Sequence, residues 1–166
     1  NMIRDLKKHV KDITNHKQVE DYLVKVLKKQ ANDKSGLIYG VGHAIYTLSD
    51  PRAKLLKGMA KQLAVSKDLI DDFMLCDFIE RKAPELYAEI NGVEKPMPAN
   101  VDLYSGFVYN ALNIPTDIAT PLFATARLSG WCAHRLEELI AGKKLMRPAY
   151  NCVQEHLEYK PIKDRK

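Results

Sequence analysis

Long apolar runs, paired cysteines and strand-like alternation are all missing from this 166-residue chain. No stretch approaches the roughly 20 apolar residues that a membrane-spanning helix needs, so no membrane role is expected. Cys76, Cys132 and Cys152 are odd in number and never spaced Cys-x-x-Cys. They lack metal-site spacing and read as reduced thiols in a reducing compartment. Charge of one sign is also in short supply. Lys and Arg number 26 against 21 Asp and Glu, a formal +5, with both signs interleaved. Interleaving leaves no basic stripe along a phosphate backbone, which argues against a nucleic-acid binder. A mild positive field suits small anions such as carboxylates or a phosphorylated cofactor. The opening Asn-Met-Ile-Arg-Asp-Leu-Lys-Lys is charged and amphipathic, unlike a signal peptide. Because it begins on Asn, we expect the chain to be cut from something longer.

What is present is helical periodicity, and the fold class expected is all-α. Met2, Ile3, Leu6 and Val10 recur at helical spacing over residues 2–12. Asn15 is an N-cap for a helix with Val19, Tyr22, Leu23, Val26 and Leu27 on one face, ending near residues 31–33. Residues 34–50 are irregular and Gly-rich. Asp50-Pro51 starts a third helix, with Asp as cap and Pro in the first turn, and Leu55, Leu56, Met59, Ala60 and Leu63 as its apolar face. A fourth begins at Ser66 or Lys67 and runs to about Tyr87, with Leu69, Phe73, Met74, Phe78 and Ile79 inward and Pro84 kinking or ending it. Asn100 caps a fifth helix to about Leu112. Past the break at Asn113-Ile-Pro115, a long helix runs to about Ala141, where Gly142 stops it. From Ile118 to Trp131 this last helix is apolar nearly all round, so it should lie buried in a larger body. Residues 1–113 therefore read as one helical domain, and 114–166 as part of a second.

Chemistry can reside in only a few polar residues. Arg127 sits in Leu-Phe-Ala-Thr-Ala-Arg-Leu-Ser-Gly-Trp with no acid three or four residues away. Buried there, its guanidinium needs an anion. A long-range salt bridge, a set of backbone carbonyls or a clamped substrate carboxylate would each serve. Asp102 falls in the first turn of the fifth helix, where an acid either caps free amides or, kept ionised by them, acts as a general base. His43 follows Gly40-Val41-Gly42, whose glycines permit positive φ and close approach to a ligand. It is either a satisfied structural histidine or a catalytic one. Arg52 opens a helix as a solvated charge or an anion ligand.

Three blocks carry a resemblance: Gly40-Val-Gly-His-Ala-Ile-Tyr-Thr-Leu-Ser-Asp-Pro-Arg-Ala53, Asn100-Val-Asp-Leu-Tyr-Ser-Gly106 and Phe123-Ala-Thr-Ala-Arg-Leu-Ser-Gly-Trp131. In residue type, order and spacing the chain resembles the C-terminal portion of the citrate synthase family. The resemblance implies a helical small domain over 1–113 and, over 114–166, a long buried helix and tail from the large domain. It implies condensation of acetyl-CoA, a co-substrate, with oxaloacetate and water to citrate and CoA, with no bound cofactor and no metal. Asp102 would match the base that takes the methyl proton, and His43 the histidine that binds and protonates the oxaloacetate carbonyl. Arg52, Arg127 and Arg147 would match the arginines that hold substrate carboxylates, Arg147 reaching into the partner subunit's site. Phe123 would line the same pocket. Leu37, Gly40, Val41, Gly42 and His43 would belong to the loop that recognises the adenine of CoA through backbone groups. Where many family members carry a basic residue at or just after the position following the loop histidine, this chain reads Ala44, Ile45, Tyr46 and Thr47, and Lys54 or Lys95 would have to substitute at the CoA phosphates.

The family's other essential histidine, in His-Gly-Gly-Ala-Asn, should precede residue 1, so the isolated chain is expected to be inactive. The resemblance further implies a homodimer in the complete protein, in the cytoplasm or, in a eukaryote, the mitochondrial matrix. Two alternatives remain at this stage. A 2-methylcitrate synthase would take propionyl-CoA, since one methylene discriminates by only about 1–3 kcal/mol. A non-catalytic helical module would bind CoA or a protein through inherited motifs.

Overall fold

The computed structural model describes residues 2–141, 155 and 157–165. Its helices are α1 (Met2–His9), α2 (His16–Leu27), α3 (Pro51–Ser66), α4 (Ile70–Asn91), α5 (Val101–Ala111) and α6 (Ala119–Ala141), with short 3-10 turns at Thr116–Ile118 and Ile162–Asp164. Among the described residues there is no strand, only an isolated antiparallel bridge between Val41 and Ala99. The all-α expectation therefore holds. Contacts divide the chain into two compact units, Asn1–Pro121 and Leu122–Lys166.

The expected caps are in place. The side chains of Asn15, Asp50 and Asn100 accept hydrogen bonds from the amides of Gln18, Arg52 and Asp102, and Pro51 occupies the first turn of α3. Each such cap typically contributes about 1 kcal/mol. Boundaries moved where the backbone turns left-handed. Helix α2 stops at Leu27, short of residue 31, because Lys29 takes φ 61°. Helix α4 begins at Ile70, later than Ser66 or Lys67, because Asp68 takes φ 55° between α3 and α4. Helix α1 ends at His9 and not at 12. Pro84 neither ends nor breaks α4, which continues to Asn91 and stops on the left-handed Gly92. Gly142, the expected stop of α6, lies outside the described residues.

The first unit has two cores. One joins α1, α2 and α4 around Leu6, Val19, Leu23, Val26, Leu75 and Ile79. The other joins α3, α4 and α5 around Ala60, Ala64, Phe73, Cys76, Tyr104 and Phe107. Helix α3 buries Ala53, Ala60 and Ala64, while Leu55 and Met59, expected inside, are exposed. Alanines at that seam let α5 approach closely enough to seat Tyr104 and Phe107, and dense packing favours that over larger side chains. Met74 is likewise exposed on α4. Helix α6 buries no residue.

Candidate functional site

The site is assembled by a splice between two loops. Gly42 N donates to Pro98 O at 2.8 Å, and Asn100 N donates to Gly40 O at 2.9 Å. The Asn100 side chain works twice. Its Nδ2 donates to Gly42 O at 2.9 Å, while its Oδ1 accepts from Asp102 N at 2.9 Å. One residue thus fastens the His43 loop to the first turn of α5. Gly40 has φ 88°, and a Cβ there would sit 2.8 Å from Leu103 Cβ and 2.9 Å from its Cα. Only glycine lets this loop lie against the α5 backbone. Gly42, at φ 93°, has open space around it, so conformation alone requires glycine there.

His43 is oriented by the chain that follows it. Its Nδ1 accepts from the amides of both Ile45 and Tyr46 at 3.0 Å. A nitrogen that accepts two N–H bonds carries no proton, so the ring proton is on Nε2. Nε2 lies 3.8 Å from Asp50 Oδ2 and 3.5 Å from Arg52 Nη2. The carboxylate is beyond good hydrogen-bond length and the guanidinium can only donate, so the Nε2–H remains available. The side chain is 17% exposed.

Asp50 was expected only as a helix cap. It does more. Buried at 1% exposure, it accepts from the Arg52 amide at 2.9 Å, Nε at 3.0 Å and Nη2 at 2.8 Å. The Arg52 bonds hold its carboxyl below the usual carboxylate range against the opposing effect of burial. Arg52 is raised in turn, chiefly by Asp50, with a smaller contribution from Asp102. The guanidinium is therefore fixed along one edge while its side chain stays half exposed. Such a pinned fork presents its remaining donors to an incoming carboxylate. Asp102 is exposed on the first turn of α5. The structure thus brings His43, Arg52 and Asp102 together with Gly40, Val41 and Gly42.

The preceding loop is stiffened by Asp33, which accepts from Tyr39 Oη at 2.5 Å and from Ser35 N at 3.0 Å. These bonds, Tyr39 first, lower its pKa to about 2. Leu37 is exposed and Ile38 buried. Backbone groups of Gly40, Val41 and Gly42 are engaged in bonds within the protein, Val41 N donating to Ile38 O at 3.3 Å.

Phe123 and Arg127 lie in the second unit. The Arg127 guanidinium carbon is 5.4 Å from the Phe123 ring centroid, one helical turn away. Arg127 is exposed in this chain, on a helix that buries none of its residues, so the burial expected in a larger body is not supplied by the chain itself. Arg147 lies outside the described residues. Sequence reasoning missed the second roles of Asp50 and Asn100. Both were visible as caps, but nothing local marked Asp50 as the partner of Arg52 or Asn100 as a tie across 58 residues. Among the described residues no cluster of three potential metal ligands occurs, and no helix is long and apolar enough to cross a membrane.

Known proteins give this geometry its family. Residues 2–149 match the model of the citrate synthase C-terminal domain. The chain belongs to the citrate synthase family. It is 34% identical to a citrate synthase from Synechocystis over 94% of this chain and 37% of that protein. It is 38% identical to one from Acidithiobacillus ferridurans over 94% of this chain and 38% of that protein. The chain therefore spans well under half the length of these curated relatives. Among solved structures, citrate synthase from Thermotoga maritima superposes with TM-score 0.61 at 31% identity, covering 99% of this chain and 42% of that one. The Thermoplasma acidophilum enzyme superposes with TM-score 0.57 at 27% identity, covering 94% and 44%, and its structure is a ternary complex with carboxymethyl coenzyme A and oxaloacetate.

Proposed function

We propose that this chain is the C-terminal part of a citrate synthase that condenses acetyl-CoA with oxaloacetate and water to give citrate and CoA. Residues 1–113 would form its small domain and 114–166 the closing part of its large domain. The observation that carries the reading is the pinned Arg52 beside the Nε2–H of His43, with Asp102 held to the same loop by Asn100. Arg52 takes one carboxylate of oxaloacetate, and His43 donates to the ketone oxygen where negative charge develops. Asp102 removes the methyl proton of acetyl-CoA. The carbon nucleophile so formed adds to the ketone carbon, whose oxygen collects the proton, and water then cleaves the thioester. Holding the dicarboxylate rigidly supplies the alignment that this addition needs.

Phe123, Arg127 and the partner subunit's equivalent of Arg147 complete the carboxylate pocket in the dimeric enzyme. Residues 37–43 meet the CoA adenine, and the reaction uses no metal or prosthetic group. The enzyme works in the cytoplasm, or in the matrix of a mitochondrion. The chain alone is inactive.

Thiol release by a full-length citrate synthase ending in this chain, given oxaloacetate and acetyl-CoA, tests the reading. Asp102→Asn should lower kcat by about 10²–10⁴-fold, the range of a lost general base. An unchanged rate, or thiol release by the isolated chain, would sink it. Running propionyl-CoA alongside reads the acyl preference directly.

A further inference from the structure

Lys57 on α3, Asp77 and Glu80 on α4 and Tyr104 on α5 form a polar cluster that none of the proposed steps uses. Lys57 Nζ lies 2.5 Å from Asp77 Oδ1 and 2.6 Å from Glu80 Oε2. The Tyr104 hydroxyl donates to the same Glu80 oxygen. Lys57 Nζ also sits 5.6 Å from the centroid of the Tyr104 ring. Arg81 closes the outer side, its Nε 3.0 Å from Asp77 Oδ2. Tyr104 is fully buried. Burial, and then the bond to Glu80, push its hydroxyl far above the ordinary phenol range, so it remains a donor. Burial opposes the Lys57 charge, but Asp77 and Glu80 outweigh it and leave the ammonium stabilised.

The cluster's place in the fold gives it consequence. Tyr104 follows Asp102 by two residues, about 200° around the helix, so when one faces inward the other faces out. That is what is seen: Tyr104 is buried and Asp102 exposed. Lys57 lies five residues beyond Arg52 on α3, about one turn and a half along that helix. The cluster therefore braces the helix that carries Arg52 against the helix that carries Asp102, through α4. The rest of that seam is apolar: Ala60, Ala64, Phe73 and Phe107. Apolar contact is non-directional and permits small slides and rotations. A hydrogen bond to a carboxylate that is itself held by Lys57 does not.

We propose that Tyr104 is a positioning residue: its hydroxyl, anchored on Glu80 and Lys57, sets the rotation and register of the first turn of α5 and so places the Asp102 carboxylate relative to Arg52. The catalytic consequence rests on the function proposed above, whereas the structural one does not.

Amide hydrogen exchange on this chain separates the two. Tyr104→Phe keeps the ring and removes only the hydroxyl. Exchange at the Asp102 and Leu103 amides should accelerate about tenfold, while the Ile79 and Ala83 amides of α4 stay within about twofold, as local opening requires. Glu80→Ala should copy that pattern, and Glu80→Gln, which keeps an acceptor, should restore near-normal protection. Equal acceleration in α4 and α5 would mean a general packing role and overturn the proposal, as would no change at α5. If Tyr104→Phe does not fold, the contrast between Glu80→Ala and Glu80→Gln decides alone.

In the full-length enzyme, Tyr104→Phe should lower kcat about tenfold with the oxaloacetate KM within about twofold, since a misplaced base slows proton removal without loosening the carboxylate clamp. A raised KM at unchanged kcat would count against it. No thiol release from the unsubstituted enzyme would refute the proposed function while leaving the exchange result to judge the positioning.

Discussion

Helices α4 and α6 are nearly equal in length, 22 and 23 residues, yet α4 buries seven side chains and α6 none. The difference is not one of composition, because α6 is the more apolar of the two. Helix α4 lies between both cores of the first unit and supplies residues to each. Helix α6 leaves Leu122, Leu128, Trp131, Leu136, Leu139 and Ile140 exposed. The candidate arginines follow the same division. Arg52, at the start of a helix packed on α4 and α5, has a buried carboxylate built in to aim it. Arg127, on α6, rests over a phenyl ring one turn away. Arg52 is aimed from within its own unit, whereas Arg127 stands on a helix that buries none of its residues.

The comparison can be broken most forcefully at Ile79. It is fully buried on α4, in the core that also receives α1 and α2. Ile79→Ala should cost about 2–5 kcal/mol, the lost transfer energy plus the cavity left behind. Urea unfolding of the chain reads this as a lowered midpoint. A loss under about 1 kcal/mol would mean that α4 is not the central support described here.

How much of this was legible beforehand depends on the range of the signal. Local signals carried through: the caps Asn15, Asp50 and Asn100, the Pro51 start of α3, and the Val19, Tyr22, Leu23, Val26 face of α2. The His43 loop and the Asp102 turn were legible too, since their glycines, histidine and acid cluster within short segments. Long-range partners were not. The Asn100 bond to Gly42 spans 58 residues, and the Lys57–Glu80 and Glu80–Tyr104 bonds span 23 and 24. No periodicity announces which lysine meets which glutamate. The inward face of α3 misled for a related reason. Hydrophobic spacing favoured Leu55 and Met59, but close approach of α5 selected the alanines. Residue size at the seam mattered more than hydrophobicity, and only the packed structure reveals the seam. The left-handed turns at Lys29 and Asp68, which moved two helix boundaries, are non-glycine positions with no strong local sign.

A smaller effect should come from the built-in partner of Arg52. In Asp50→Asn the side chain keeps an oxygen for the Arg52 amide and loses its charge against the guanidinium. Arg52 is half exposed, so solvent screening limits the loss to no more than about 1 kcal/mol at neutral pH. The pH dependence carries more information. The Arg52 bonds lower the folded-state pKa of Asp50. The unfolded chain then binds the proton more readily, so the stabilisation is present above the unfolded value near 3.9 and is lost as pH falls through the lower folded value. Urea midpoints of the two proteins should differ fully from about pH 5 upward, start to draw together only below about pH 4, and meet once pH has fallen past the lower folded value. A gap that widens in acid would show that Asp50 is stabilised in its protonated form, contrary to the geometry at Arg52.

The smallest expected effect tests the comparison from the side of α6. Leu128 is 55% exposed and Trp131 54% exposed on that helix. Truncating either to Ala removes little packing in the chain itself, so each should change its unfolding free energy by less than about 0.5 kcal/mol. The same substitutions in a full-length citrate synthase should cost about 2–5 kcal/mol if the long apolar helix is enclosed there, as its composition demands. The contrast between the two backgrounds, measured by urea unfolding, is the decisive quantity. A large cost already in the chain would mean that α6 is supported from within it. A negligible cost in both would mean that the apolar face is tolerated in water, and the carboxylate clamp proposed for Arg127 would then be without the dry surroundings that strengthen it.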